Sequence, residues 1–444
     1  MTQLWPHQQY AHDMVLEKKH AAIFHSMGTG KTCTTINILN SIYKLKKRCF
    51  ALIVCPKSVI PVWPKEFEKH SENEFRITPL TQSSVTLKNK TLTSMYDPFL
   101  DTLIAIINYD SVWRDGIAKS IKKIPWNCII LDESHRISAP GSKVSWFMKD
   151  LKAEYKVCLT GTPMATPLSI YGQYRFLDKA IFGSSFNSFK NQYAVEVNCG
   201  TFNKIIGYKN QDDLNQRIYS IAHRVMLRDV LELPEETHID RICELSPKVR
   251  KIYDKFQDEL VAEYNNGLIT AQNGLIKILR LAQIVGGYIE MEDGGKFIET
   301  PKTEVLMDIV EDLSEEEPIV IFFRFTNELL KAAELIRSSG RTVGLMSGQT
   351  NNLQEWQDGK FNTLCIQLQK GGVGIDLTRS HYCIYYSKGY NPLDYQQSLA
   401  RTLRPGQTDH VIYYHILVKN TIDEIISKAL LNKEKDVMYV LSQL

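Results

Sequence analysis

Apolar residues in this chain gather in short unbroken runs, separated by longer stretches of mixed polarity. In the first half the runs fall at residues 21–24, 50–55 (Phe-Ala-Leu-Ile-Val-Cys), 103–108, 127–132 and 155–160. Each is strand-length, and continuous rather than alternating apolarity predicts strands covered on both faces, as in a parallel sheet packed between helices. From about 166 to 300 the pattern turns mostly helical and richer in charge. Strands return after Pro318, at 319–323, 363–367, 382–386 and 411–418. The expected fold class is therefore α/β, with a first lobe over 1–165, a mainly helical insertion over 166–300 and a second parallel-sheet lobe over 301–444. Inside the insertion, residues 193–208 carry two β-rich runs flanking Asn198-Cys199-Gly200. That is a hairpin signal, with Phe202 near its tip.

The first apolar run leads into Met27-Gly28-Thr29-Gly30-Lys31-Thr32. Glycines let successive backbone N–H groups turn toward phosphates. Lys31 supplies a point charge to the β- and γ-phosphates, and the Thr32 hydroxyl suits magnesium. The stretch from Lys31 to about Leu45 predicts a helix whose N-terminus faces the phosphates. The full pattern has glycine five residues before Gly30, where this chain has His25. Expected ligands are thus ATP and Mg2+, held by Met27, Gly28, Thr29, Gly30, Lys31 and Thr32.

A second strand, Ile129-Ile130-Leu131, ends in Asp132-Glu133-Ser134-His135. Hydrolysis needs one carboxylate to hold magnesium and another to orient and deprotonate water. Asp132 takes the first role here, with Thr32 as its partner on the metal, and Glu133 the second. His135 is placed to relay nucleotide state.

In the second lobe, Lys370-Gly371-Gly372-Val373-Gly374-Ile375-Asp376 follows a strand. Its glycines suggest close backbone approach to phosphate or to a strand of nucleic acid, and Gly374 and Asp376 are nucleotide-site candidates. Then come Gln397, Arg401 and Arg404. Spacing of three places the two arginines on one helix face, from which they would stabilise charge on the transferred phosphoryl group.

Composition narrows this little. The 444 residues suit two domains or slightly more, and 43% hydrophobic with 23% charged residues is ordinary for a soluble protein. No apolar run approaches transmembrane length, so no membrane partner is expected. Nine cysteines are scattered singly with no Cys-x-x-Cys pair, which speaks against a zinc module. No secretory signal is visible, and the expected location is the bacterial or host cytoplasm. A net charge of +3 neither demonstrates nor excludes nucleic-acid binding.

With these residues in view, the chain resembles a superfamily 2 helicase/translocase of the Swi/Snf-like branch, along nearly its whole length and in the family's motif order. The resemblance implies two RecA-like lobes and a DNA-stimulated ATPase. Leu4-Trp5-Pro6-His7-Gln8 is similar to the adenine-reading element, with Gln8 able to bond adenine. Pro56-Lys57-Ser58 and Asn108-Tyr109 resemble DNA-tracking motifs. Leu159-Thr160-Gly161-Thr162-Pro163 resembles the coupling motif, with Thr160 and Thr162 acting beside His135. Phe322-Phe323-Arg324-Phe325 resembles the motif opening the second lobe, with Arg324 on DNA. The segment after Ser347-Gly348-Gln349-Thr350 lacks the family's arginine, and Lys370 stands where a small residue is common. The implied substrate is DNA, as duplex, fork or junction. The implied activity is remodelling of forks or junctions by branch migration, or stripping of protein–DNA complexes. Alternatives are a strand-separating helicase on single-stranded tails and a motor subunit serving a protein partner such as a nuclease.

Overall fold

The structure is a computed structural model, and it describes residues 3–198, 203–265, 271–291, 294–368 and 375–432. The chain divides into two compact units, Met1–Leu231 and Glu232–Leu444.

The first unit is built on seven strands. In chain order these are β1 (His20–His25), β2 (Cys49–Cys55), β3 (Ile77–Pro79), β4 (Thr102–Asn108), β5 (Cys128–Asp132) and β6 (Tyr155–Leu159), with a hairpin of β7 (Ala194–Asn198) and β8 (Asn203–Tyr208) before β9 (Ala222–Val225). The sheet runs β3-β4-β2-β5-β6-β1-β9, and every pairing in it is parallel. Alternate residues of one strand feed opposite faces. Ala22, Phe24, Phe50, Leu52 and Val54 pack into one core, while Ala21, Ile23, Ala51 and Ile53 pack into another. A slip of one residue would exchange the two sets, so burial on both faces fixes the register. All five apolar runs of the first half are strands within a residue or so of their expected ends.

The second unit adds β10 (Glu236–Cys243), a two-stranded pair β11 (Tyr288–Met291) and β12 (Gly294–Phe297), then β13 (Ile319–Phe323), β14 (Val343–Met346), β15 (Thr363–Gln367), β16 (Tyr382–Tyr385) and β17 (Val411–Val418). Its main sheet, β10-β17-β16-β13-β15-β14, is again wholly parallel. Residues 166–300 are shared between the units rather than set apart. β9 joins the first sheet beside β1, and β10 joins the second beside β17. The helices Pro247–Asn265 and Ala271–Val285 follow β10 and pack in the second unit.

The hairpin β7–β8 is an antiparallel pair outside both main sheets, with a bulge between Val195 and Glu196. Val195, Val197, Ile205 and Ile206 are exposed along it. The tip, including Cys199, Gly200 and Phe202, lies outside the described residues.

Two polar groupings are enclosed in the second unit. Lys302 and Asp423 form a buried ion pair at 2.5 Å. Glu328 lies beside them, bonded to the Ser387 hydroxyl and the Phe325 amide, and burial lifts its carboxyl to about 7. Among the described residues eight cysteines are free thiols, all buried except Cys243, which is half-buried. Among the described residues no helix is long and apolar enough to cross a membrane.

Candidate functional site

β1 ends at His25 and the helix Lys31–Lys46 starts six residues later. Gly28 and Gly30 hold the turn between them with φ of 79° and 80°, a region that side chains resist. At Gly30 a second constraint applies, because an added Cβ would lie 2.1 Å from Gln8 Nε2. Thr29 braces the loop through its hydroxyl, which donates to Ser26 O at 2.7 Å. Lys31 Nζ donates to His25 O at 2.8 Å and Ser26 O at 3.0 Å, reaching back along the loop. Met27 and Thr32 are half-buried, with Thr32 in the first turn of the helix.

Gln8 takes part in this loop. Its Nε2 donates to Thr29 O at 2.9 Å, its Oε1 accepts from Trp5 N at 3.0 Å, and His7 Nε2 stands 3.0 Å from the same Thr29 oxygen. The nitrogen end of the amide that would read adenine here ties the helix Pro6–Lys18 to the phosphate loop, and its oxygen end caps the start of that helix. His25, in place of the pattern's glycine, has ordinary strand geometry. Its Nε2 lies 2.9 Å from His223 Nδ1 on β9, and burial pushes its pKa down to about 2, with His223 and Lys31 adding to the effect. The imidazole is therefore neutral, and the loop's bend falls to Gly28 and Gly30.

The carboxylates stand at the end of β5. Asp132 Oδ2 accepts from Trp63 Nε1 at 3.3 Å, and Tyr109 OH donates to the Asp132 carbonyl at 2.8 Å. Burial raises the Asp132 pKa and the neighbouring Glu133 raises it further, while Lys31 opposes both. Two like charges held together in this way suit a divalent cation, which would offset them. Glu133 adopts φ 54°, unusual for a non-glycine residue and costing on the order of 1–3 kcal/mol. That twist turns its carboxylate toward β6. Glu133 Oε2 lies 3.4 Å from both the Thr160 hydroxyl and His135 Nδ1, and the last two are 3.1 Å apart. Thr160 Oγ1 also accepts from Thr162 N at 3.1 Å, while the Thr162 hydroxyl is buried without a partner among the described residues.

A further link escaped the sequence. Ser134 Oγ donates to Gln173 Oε1 at 2.7 Å, and Gln173 Nε2 donates to Pro163 O at 2.7 Å. Gln173 thus bridges the carboxylate loop and the Thr160–Pro163 loop. The helix Tyr171–Leu177 comes close enough because residue 172 is glycine; an added Cβ would lie 1.9 Å from Ile137 O. Neither residue stands in a motif, so only the fold reveals them.

The residues expected on DNA divide. Lys57 and Ser58 are exposed just past the end of β2, and Pro56 is buried. Asn108 and Tyr109 point inward: Asn108 Oδ1 accepts from Lys88 Nζ at 2.6 Å, and Tyr109 is committed to Asp132. Arg324 is half-buried in the second unit, its amide donating to Ser387 Oγ at 2.7 Å.

Gln397 and Arg401 lie on the helix Pro392–Thr402, with Arg401 buried and Gln397 half-buried. Arg404 does not share that helix face, contrary to the spacing argument. The helix ends at Thr402, and a residue before proline, here Arg404 before Pro405, is pushed out of helical geometry. Arg404 instead reaches Ile375 O at 3.2 Å and lies 3.9 Å from Asp376 Oδ2. Asp376 Oδ1 caps the turn at Thr378. Gly374 lies outside the described residues.

The SNF2-related domain family matches residues 9–285, and the family described as helicase conserved C-terminal domain matches residues 301–406. An uncharacterized ATP-dependent helicase of Mycoplasma genitalium is 24% identical over 92% of this chain and 39% of its own length. The human DNA excision repair protein ERCC-6 is 25% identical over 90% of this chain and 29% of its own. The putative ATP-dependent helicase/translocase YwqA of Bacillus subtilis is 23% identical over 97% and 48%. The chain thus spans less than half the length of these relatives. The solved SWI2/SNF2 ATPase core of Sulfolobus solfataricus with dsDNA covers 99% of this chain, and this chain 92% of it, at 23% identity and a TM-score of 0.47.

Proposed function

The chain belongs to the SNF2 family, and from that premise we propose that it is an ATP-hydrolysing motor that translocates on DNA, predominantly duplex, and remodels forks, junctions or protein–DNA complexes. The observation that carries this reading is the contact of Glu133 with Thr160 and His135 beside the phosphate loop. It joins the group suited to activate water to the loop suited to report that event.

Lys31 and the loop amides would bind the phosphates of ATP, and Thr32 and Asp132 would hold magnesium, whose charge neutralises phosphate oxygens when bound. Glu133 orients and deprotonates the attacking water. Thr160 and His135 sense the Glu133 carboxylate, and Gln173 ties Ser134 to Pro163 so that the two loops move together. In the second unit, Gln397, Arg401 and Arg404 are the groups suited to stabilise charge on a transferred phosphoryl group. Lys57, Ser58 and Arg324 would meet the polynucleotide backbone, so binding should be sequence-tolerant and salt-sensitive. The exposed β7–β8 hairpin supports the fork or junction reading, since an apolar two-stranded arm is suited to part strands.

The test is the ATPase rate on duplex, single strand, fork, four-way junction and RNA. Greatest stimulation by DNA containing duplex is expected. A rate indifferent to every polynucleotide would overturn the proposal.

A further inference from the structure

β2 and β4 are neighbours, with Cys55 paired to Asn108. Their carboxyl ends therefore lead side by side into two short helical turns, Lys57–Val59 after Pro56 and Tyr109–Val112. The carboxyl edge of a parallel sheet is where ligands of such folds are met. Beneath these turns the helix Val85–Met95 brings up Lys88, which no motif marks.

Lys88 is 4% exposed. Its Nζ donates to Asn108 Oδ1 at 2.6 Å and Ser111 Oγ at 3.0 Å. An ammonium has three N–H donors, so one is left without an acceptor among the described residues. Both partners are neutral, and among the described residues no carboxylate oxygen pairs with Lys88. Buried charges are normally paired, because leaving water is costly without a counter-charge. The charges that act on Lys88 from around it are those of Lys57, Asp110 and Arg114, and burial together with the two cations lowers its pKa. Lys57 and Arg114 are exposed, as is Asp110, whose carbonyl accepts from Arg114 Nε at 2.9 Å. One enclosed cation and two at the surface, with a single carboxylate among them, make a site short of negative charge.

We propose that Lys88 is the floor of an anion pocket that takes one backbone phosphodiester of the nucleic acid, with Lys57 and Arg114 at its rim. Asn108 and Ser111 then act by holding the ammonium in place rather than by touching DNA. The proposal rests on the reading of the chain as a DNA motor and adds to it the residue that grips the track from inside the first unit.

The experiment measures duplex binding by fluorescence anisotropy across a salt series, with the whole chain as wild type, Lys88→Met and Lys88→Arg. Melting curves are recorded alongside. Each phosphate neutralised contributes about 0.9 to the slope of log affinity against log salt. Lys88→Met should reduce the slope by about that amount. Lys88→Arg should restore most of it. The melting temperature of Lys88→Met should hold or rise, since a buried unpaired charge has been removed. An unchanged slope in Lys88→Met overturns the proposal and leaves the motor reading standing. So does an unchanged slope joined to a falling melting temperature, which marks a purely structural lysine. If inorganic phosphate raises the melting temperature of the wild type alone while the slope is unaffected, the pocket serves a free anion and the DNA assignment fails. A wild type that binds no nucleic acid overturns both readings.

Discussion

Glu133 Oε2 and the Thr160 hydroxyl stand 3.4 Å apart at the carboxyl ends of adjacent strands β5 and β6. The contact exists because Glu133 takes a left-handed turn that a side chain normally avoids. Glu133→Gln should lower ATP turnover by at least about 10²-fold, as expected for loss of a general base, while ATP is still bound. Single-turnover hydrolysis beside titration of a fluorescent ATP analogue checks both halves. Lys31→Ala should lose binding as well. Thr160→Val, which keeps the shape and removes the hydroxyl, should reduce the ratio of DNA-stimulated to basal turnover.

Arg404 sits beyond its helix, close to Asp376 and to the Ile375 carbonyl. If it serves the transition state, Arg404→Ala should cut kcat by about 10³-fold or more and leave duplex affinity within a factor of about two. Steady-state kinetics with an anisotropy titration decides. Unchanged hydrolysis with weakened DNA binding would reassign the arginine to the track.

Gly172 allows the helix Tyr171–Leu177 to touch the turn after Glu133, with no room for a methyl group before Ile137 O. Gly172→Ala should cost about 1–3 kcal/mol by overpacking. The helix must back away, so Gln173 should lose its bridge between Ser134 and Pro163 and turnover should fall with stability. Urea unfolding and ATPase rate, measured together, check this; a variant as stable and active as wild type would refute the close-packing argument.

Glu328 gives a pH dependence with a definite sign. Its folded pKa, about 7, lies above the ordinary carboxyl value of 4.5. Between these values the folded state holds more protons than the unfolded state, so stability falls as pH rises. The group's contribution is fully present below about pH 4.5 and lost as pH passes about 7, a change of roughly 3 kcal/mol at most. Glu328→Gln keeps an acceptor for Ser387 without the charge. It should flatten the curve between about pH 5 and pH 8 and stabilise the chain at the upper end. Urea midpoints across that range are the measurement, and parallel curves for the two proteins would place the titration elsewhere.

The central strands of both sheets were legible because continuous apolar runs such as Cys49–Cys55 are buried on both faces. β10 was not. Its sequence, Glu-Thr-His-Ile-Asp-Arg-Ile-Cys, alternates because it is an edge, and within a charge-rich region it reads as helix or loop. The phosphate loop and the carboxylate pair were legible because their chemistry demands particular residues in a row. Gln173, Gly172 and Lys88 were invisible because each matters through a neighbour distant in sequence. Motif resemblance assigns Asn108 and Tyr109 to DNA, and the fold turns their side chains inward, Asn108 to Lys88 and Tyr109 to the Asp132 carbonyl.

The buried thiols make the molecule its own unfolding clock. Cys49, Cys55, Cys128 and Cys158 report from the first unit and Cys365 and Cys383 from the second, and burial pushes every one of them upward in pKa. A thiol-labelling reagent can reach these sulfurs only when the sheet around them opens. Mass spectrometry of peptides from a labelling time course would then give a separate opening rate for each unit. Repeating it with nucleotide or duplex added would tell which unit each ligand holds shut.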